Sequence, residues 1–131
     1  GEIWNFLAAD SRTRVIAIGR HTESLYLPCC VQTYEDVTGS QGNVMLVKTM
    51  ANFVEFLDYA KTDYIYIEAG YMAEGERADI LTCDLVEYGI LTPVCYENGN
   101  VLARVDVHGE KTEESEEKLV EFKQNRRLQE P

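Results

Sequence analysis

Residues 52–70 constrain the fold more than any other stretch of this chain. Phe53, Phe56, Leu57 and Ala60 recur at helical spacing, one apolar stripe with Glu55, Asp58 and Lys61 off it. Tyr64-Ile65-Tyr66-Ile67 follows as a β-branched and aromatic run of strand length, closed at Gly70. A helix that passes into a strand with almost no linker is the second half of a βαβ unit. Alternation puts Ile65 and Ile67 on one face and Tyr64, Tyr66 and Glu68 on the other. Both faces are then apolar or aromatic, and we expect a central strand covered on two sides. The stretch points to a fold and to no reaction.

The remaining chain fits around that unit. Residues 3–10 read as a short helix, and Arg12-Thr13-Arg14 leads into a buried first strand, Val15-Ile16-Ala17-Ile18, stopped by Gly19. Thr22 is placed to cap a short helix that Pro28 would end. A brief strand over 29–34, a loop over 36–43 and a second buried strand, Val44-Met45-Leu46-Val47, come next. Beyond a turn at 73–75, a helix runs from about 76 to 88, with Gly89 where a C-terminal cap belongs. Strands over 91–97 and 101–107 flank Asn98-Gly99, the strongest short hairpin signal available. A charged helix over 112–128, with Leu119, Val120 and Phe122 as its main apolar residues, is expected to fray or protrude. This order predicts an α/β fold, three-layer and Rossmann-like, with a mostly parallel sheet and an antiparallel C-terminal hairpin. We expect one domain over 1–109 and an acidic helical extension over 110–131.

Composition narrows the partners. Twenty-three acidic against twelve basic residues give a net charge of -11, which disfavours nucleic acid or an anionic membrane as the main partner. Part of the excess is local, at Glu110, Glu113, Glu114, Glu116 and Glu117. No apolar run approaches the roughly 20 residues that span a bilayer, and no signal peptide opens the chain. The sequence starts without Met and goes straight into Ile3, Trp4, Phe6 and Leu7, so we expect a soluble domain cut from a longer protein. Cys29, Cys30, Cys83 and Cys95 form no CxxC, and with His21 and His108 they match no zinc spacing. Buried or free thiols are the plainer reading. A bond involving Cys83 and Cys95 stays open for an extracytoplasmic domain.

No chemical motif is complete. The loop after the first strand, Gly19-Arg20-His21-Thr22-Glu23-Ser24, sits where a doubly wound sheet holds phosphate. It lacks GxGxxG and GxxxxGK[ST], so Arg20 and His21 offer at most a simple anion site, and a packed loop is the plainer reading. Glu68, Asp36 and Asp63 are acids whose spacing demands no metal. No GxSxG occurs, and a triad through Cys29 or Cys30 with His21 has nothing to recommend it. Tyr64, Tyr66, Tyr71 and Tyr88 are residue types that stack on sugars or bases, although strand tyrosines more often cover a sheet. No cofactor and no metal are expected.

One resemblance goes further. Val15-Ile16-Ala17-Ile18, the helix from Phe53 to Ala60, Thr62-Asp63-Tyr64-Ile65-Tyr66-Ile67 and Leu91-Thr92-Pro93-Val94-Cys95-Tyr96-Glu97-Asn98-Gly99-Asn100-Val101 follow one another in a particular order. That succession resembles the soluble C-terminal domain of multi-spanning membrane glycosyltransferases that use lipid-linked sugars, the mannosyl- and arabinosyltransferase-like enzymes. The family's catalytic acids lie in its membrane part, so the resemblance carries over no catalytic residue. It implies a non-catalytic accessory domain on the extracytoplasmic face of the membrane. Its partners would be the transmembrane part of the parent protein and a sugar or peptide acceptor. The acceptor surface is expected at the C-terminal edge of the sheet, with Arg20, His21, Thr49, Glu68 and Tyr71 as ligand-binding candidates. The alternative is a small cytoplasmic ligand-binding or regulatory α/β module using the loop at 19–24. An independent small hydrolase ranks third, because nucleophile and base are not paired.

Overall fold

The computed structural model describes residues 1–10, 12–18, 30–33, 49–68 and 77–128. Over these the chain forms α1 (Glu2–Ala8), β1 (Arg14–Ile18), β2 (Cys30–Thr33), α2 (Met50–Tyr59) and β3 (Tyr64–Ile67). Then come α3 (Arg77–Glu87), β4 (Leu91–Glu97), β5 (Asn100–Val105) and α4 (Glu113–Leu128). The helix expected near 22–27, the loop at 36–43 and the strand at 44–47 lie outside the described residues.

The strands make one sheet in the order β2-β1-β3-β5-β4. β1 is parallel to both β2 and β3, while β5 is antiparallel to β3 and to β4. Among the described residues the fold is therefore α/β with a mixed sheet, its pairings divided evenly between parallel and antiparallel, where a mostly parallel sheet was expected. The hairpin is the cause. Asn98 and Gly99 both take positive φ, 53° and 84°, so the chain reverses in two residues and Glu97 pairs with Asn100. Its second strand then docks directly on β3, with Tyr64 opposite Arg104 and Ile67 opposite Val101.

β3 behaves as its alternation predicts. Ile65 and Ile67 join Ile16 and Ile18 of β1 and Val101 and Ala103 of β5 in one core, covered by Phe53 and Leu57 of α2, Leu81, Leu85 and Val86 of α3 and Phe122 of α4. Tyr66 joins Val15, Ala17, Leu102 and Cys95 on the other face, under Ile3 and Leu7 of α1. Side chains two residues apart along a strand share a face, so each of these strands feeds both cores. Cys83 and Cys95 form no disulfide and are buried in different cores, with the sheet between them, which rules out the bond left open above.

Helix ends are closed by identifiable devices. Thr49 caps α2 by accepting the Asn52 N–H at 3.2 Å. At the other end of α2 Lys61 stands at φ 54°, with its N–H bonded to the Asp58 carbonyl and the Thr62 N–H to that of Leu57. This is a Schellman closure built without glycine. α3 closes the same way around Gly89, φ 71°, through the Leu85 and Val86 carbonyls. α4 opens with a reciprocal pair. The Ser115 N–H donates to Thr112 Oγ1 at 3.0 Å, and the Thr112 N–H donates to Ser115 Oγ at 2.8 Å.

The C-terminal helix is docked, where fraying or protrusion was expected. Phe122 is 4% exposed in the larger core, and Leu119 packs beside it. The Ser115 hydroxyl lies 2.6 Å from the carbonyl of Glu87, the last residue of α3, and Asn125 Nδ2 donates to the Gly99 carbonyl at 3.3 Å. Few apolar residues mark this helix, but one aromatic side chain and two end contacts suffice to seat it. The Tyr96 hydroxyl is buried without a hydrogen-bond partner among the described residues, and burial, then the Glu121 charge, keep it protonated.

Two stability changes follow. Lys61→Gly removes the left-handed strain of an exposed side chain and should raise stability by about 0.5–1 kcal/mol in urea unfolding. Ser115→Ala removes one half of the reciprocal cap and the tie to Glu87, and should cost about 1–2 kcal/mol in the same assay.

Candidate functional site

Of the five candidate residues, Thr49 and Glu68 are described, and Arg20, His21 and Tyr71 lie outside the described residues. Connectivity sets the two at one end of the sheet. The Thr62 N–H bonds the Leu57 carbonyl just before β3 begins, so the C-terminus of α2 abuts the start of β3. The helix rises about 15 Å and the strand about 13 Å, which returns Thr49 to the end where Glu68 stands. Glu68 extends the ladder by donating its N–H to the Ile18 carbonyl at 2.9 Å. Thr49 is committed to the helix: besides accepting the Asn52 N–H, its hydroxyl donates to Asn52 Oδ1 at 2.9 Å. A hydroxyl with one proton, already given, has little left for a ligand.

Asp63 and Glu68 flank β3 at opposite ends, roughly 16 Å apart along an extended chain. They cannot share a metal ion, and among the described residues no group of three His, Cys, Asp or Glu side chains has metal-binding geometry. His108 is exposed in a turn, with its N–H on Asp106 Oδ1 at 3.0 Å. Among the described residues no helix is long and apolar enough to cross a membrane.

The larger described cavity lies at the other end, where β1 and β3 begin. It is an open groove of about 600 Å³ lined by Asp10, Arg12, Thr13, Asp63, Tyr64, Arg104 and Val105. Its floor is knitted by Asp63: Oδ2 accepts the Arg14 N–H at 2.9 Å, its own N–H donates to the Arg14 carbonyl, and its carbonyl accepts from Val105. One wall is the turn after α1. There Asp10 Oδ1 accepts the Arg12 N–H at 2.9 Å and Nε at 3.2 Å. The Phe6 ring stands edge-on to Tyr64 at 5.4 Å. Arg104 faces Tyr64 across the β3–β5 ladder and Thr92 across the β5–β4 ladder.

At this end the sequence offered Asp63 as a candidate metal acid and Tyr64 as a stacking residue, each taken separately. Nothing local ties them, or Arg12 in the lead-in to β1, to Arg104. A further signal is the pair Arg12 and Arg14, two bases close together in a strongly acidic chain. The groove offers guanidinium donors, carboxylate acceptors and an aromatic ring. These are groups that suit a polar ligand, and among the described residues of the groove no nucleophile is paired with a base.

The hydrogen bond from the Arg12 backbone, then that from its side chain, hold the Asp10 carboxyl below the ordinary aspartate range. A depressed folded value adds stability above the unfolded pKa and loses it as pH falls through the folded one. An NMR titration should find that low midpoint, and Arg12→Ala should raise it only part of the way, since the backbone donor remains.

No family model, no curated protein and no solved structure matches this chain.

Proposed function

We propose that this chain is a non-catalytic binding domain on a three-layer, Rossmann-like variant, accessory to a membrane glycosyltransferase that uses lipid-linked sugars. In that role it stands outside the cytoplasm, beside the transmembrane part of its parent, and helps to hold a sugar or peptide acceptor. The parentage and the location rest on the phrasing of residues 15–18, 53–67 and 91–101. Helices on both faces of the sheet support the layered description. The observation that carries the binding role is the groove at the start of β1 and β3, with Asp63, Tyr64, Arg12 and Arg104 on its walls. Sugars are held by this combination of planar hydrogen-bonding groups and an aromatic ring.

A second reading draws on where the groove lies. An acceptor surface was expected at the ends of β1 and β3, near Thr49 and Glu68, whereas the groove is at their beginnings. The resemblance implies no site at that end, so the second reading is a small ligand-binding or regulatory module that uses this groove in place of the loop at 19–24.

NMR titration of the chain with neutral sugars, acidic sugars, acceptor peptides and nucleotides tests the binding role. Shifts at 10–13, 63–64 and 104–105 with a sugar or peptide are the expected outcome, at weak affinity in the millimolar range, about 4 kcal/mol. No perturbation of these amides by any sugar or peptide would remove the role. The gene decides the parentage: several apolar segments of roughly 20 residues upstream support the transferase, and their absence selects the second reading.

A further inference from the structure

We propose that the groove takes a small carboxylate-bearing polyol, the chemical class of acidic sugars, with its carboxylate on Arg104. This rests on the groove being a binding site and names the ligand it selects. Some charges of the groove are already used and others are left over. Asp10 is neutralised by Arg12, at 3.2 Å and through the backbone. Asp63 spends Oδ2 on the Arg14 N–H and keeps Oδ1 as an acceptor. The Arg104 side chain is exposed and makes no hydrogen bond or ion pair with any described residue. It also lines a smaller cavity with Asp106, Glu110, Glu114 and Lys118, yet none of these acids lies within ion-pair distance of it.

Among the described residues the groove therefore has one uncommitted cation, a planar fork of donors that matches a carboxylate in two parallel hydrogen bonds. Beside it stand acceptor oxygens of Asp63 and Asp10 that suit hydroxyl donors, and Thr13 and Tyr64, whose hydroxyls both give and accept. A ligand with an anionic end and several hydroxyls satisfies both halves. A doubly charged anion such as phosphate satisfies Arg104 but carries no polyol body for the acceptors, and its second charge is repelled by Asp63, which no cation pairs among the described residues. A neutral sugar satisfies the acceptors and leaves the guanidinium to water. The volume, about 600 Å³, lies within the roughly 300–1,000 Å³ of small-molecule sites.

The test is an NMR titration of the full chain with D-glucuronate and with D-glucose, against sodium chloride at matched ionic strength. Glucuronate should move the amides of 10–13, 63–64 and 104–105 and bind more tightly than glucose. Arg104→Gln should weaken glucuronate about tenfold or more and leave glucose unchanged. Arg104→Lys keeps the charge without the fork and should fall between. Equal affinity for the two sugars, or glucuronate binding indifferent to Arg104→Gln, overturns the carboxylate assignment and leaves the binding role standing. Silence of the groove amides to both sugars, and to the peptides of the wider screen, removes the two together.

Discussion

A strand buried on both faces has to be covered twice, and β3 sets that condition for the whole molecule. Ile65 is fully buried toward α2, while Tyr66 is 8% exposed under α1. Each such side chain contributes about 1.5–3 kcal/mol by leaving water, so neither layer is dispensable. β3 also has a neighbour on each side, β1 and β5, which satisfies its backbone groups in both directions. The parallel and antiparallel halves of the sheet meet at this strand.

Among the described residues the two layers are unequal. One face carries three described helices, and their contacts interlock through the α3–α4 corner. Ser115 closes the carbonyl of Glu87, and Lys111 bridges Glu87 at 3.0 Å and Glu116 at 3.4 Å while sitting 5.9 Å from the Tyr88 ring. Gly89 and Gly109 approach so closely there that a Cβ on Gly109 would fall 2.1 Å from the Gly89 carbonyl oxygen. Only an absent side chain allows that packing. The other face carries α1 in the described residues, and Glu97 of β4 holds it by accepting the Ile3 N–H at 2.8 Å.

The groove is a by-product of the same arrangement. Asp63 joins the starts of β1 and β3 to the end of β5, and the turn after α1 runs beside it. Because β5 is antiparallel, its last residues arrive where the parallel strands begin, and Arg104 arrives with them. In a fully parallel sheet the corresponding residue would lie at the far end.

Features that depend on near neighbours are legible in the order of residues alone. The apolar stripe of Phe53 and Leu57, the alternation across Tyr64 to Ile67, the Asn98-Gly99 reversal and the Gly89 cap are set by residues a few positions apart, and each is present. The strand order, the seating of the acidic helix on Phe122 and the groove come instead from long-range packing. The Arg14–Asp63 contact spans 49 positions and the Ile3–Glu97 contact 94, and no local periodicity encodes such pairs. They arise when one face of a strand accepts one partner among several of similar polarity, a choice made by the packing of the whole core.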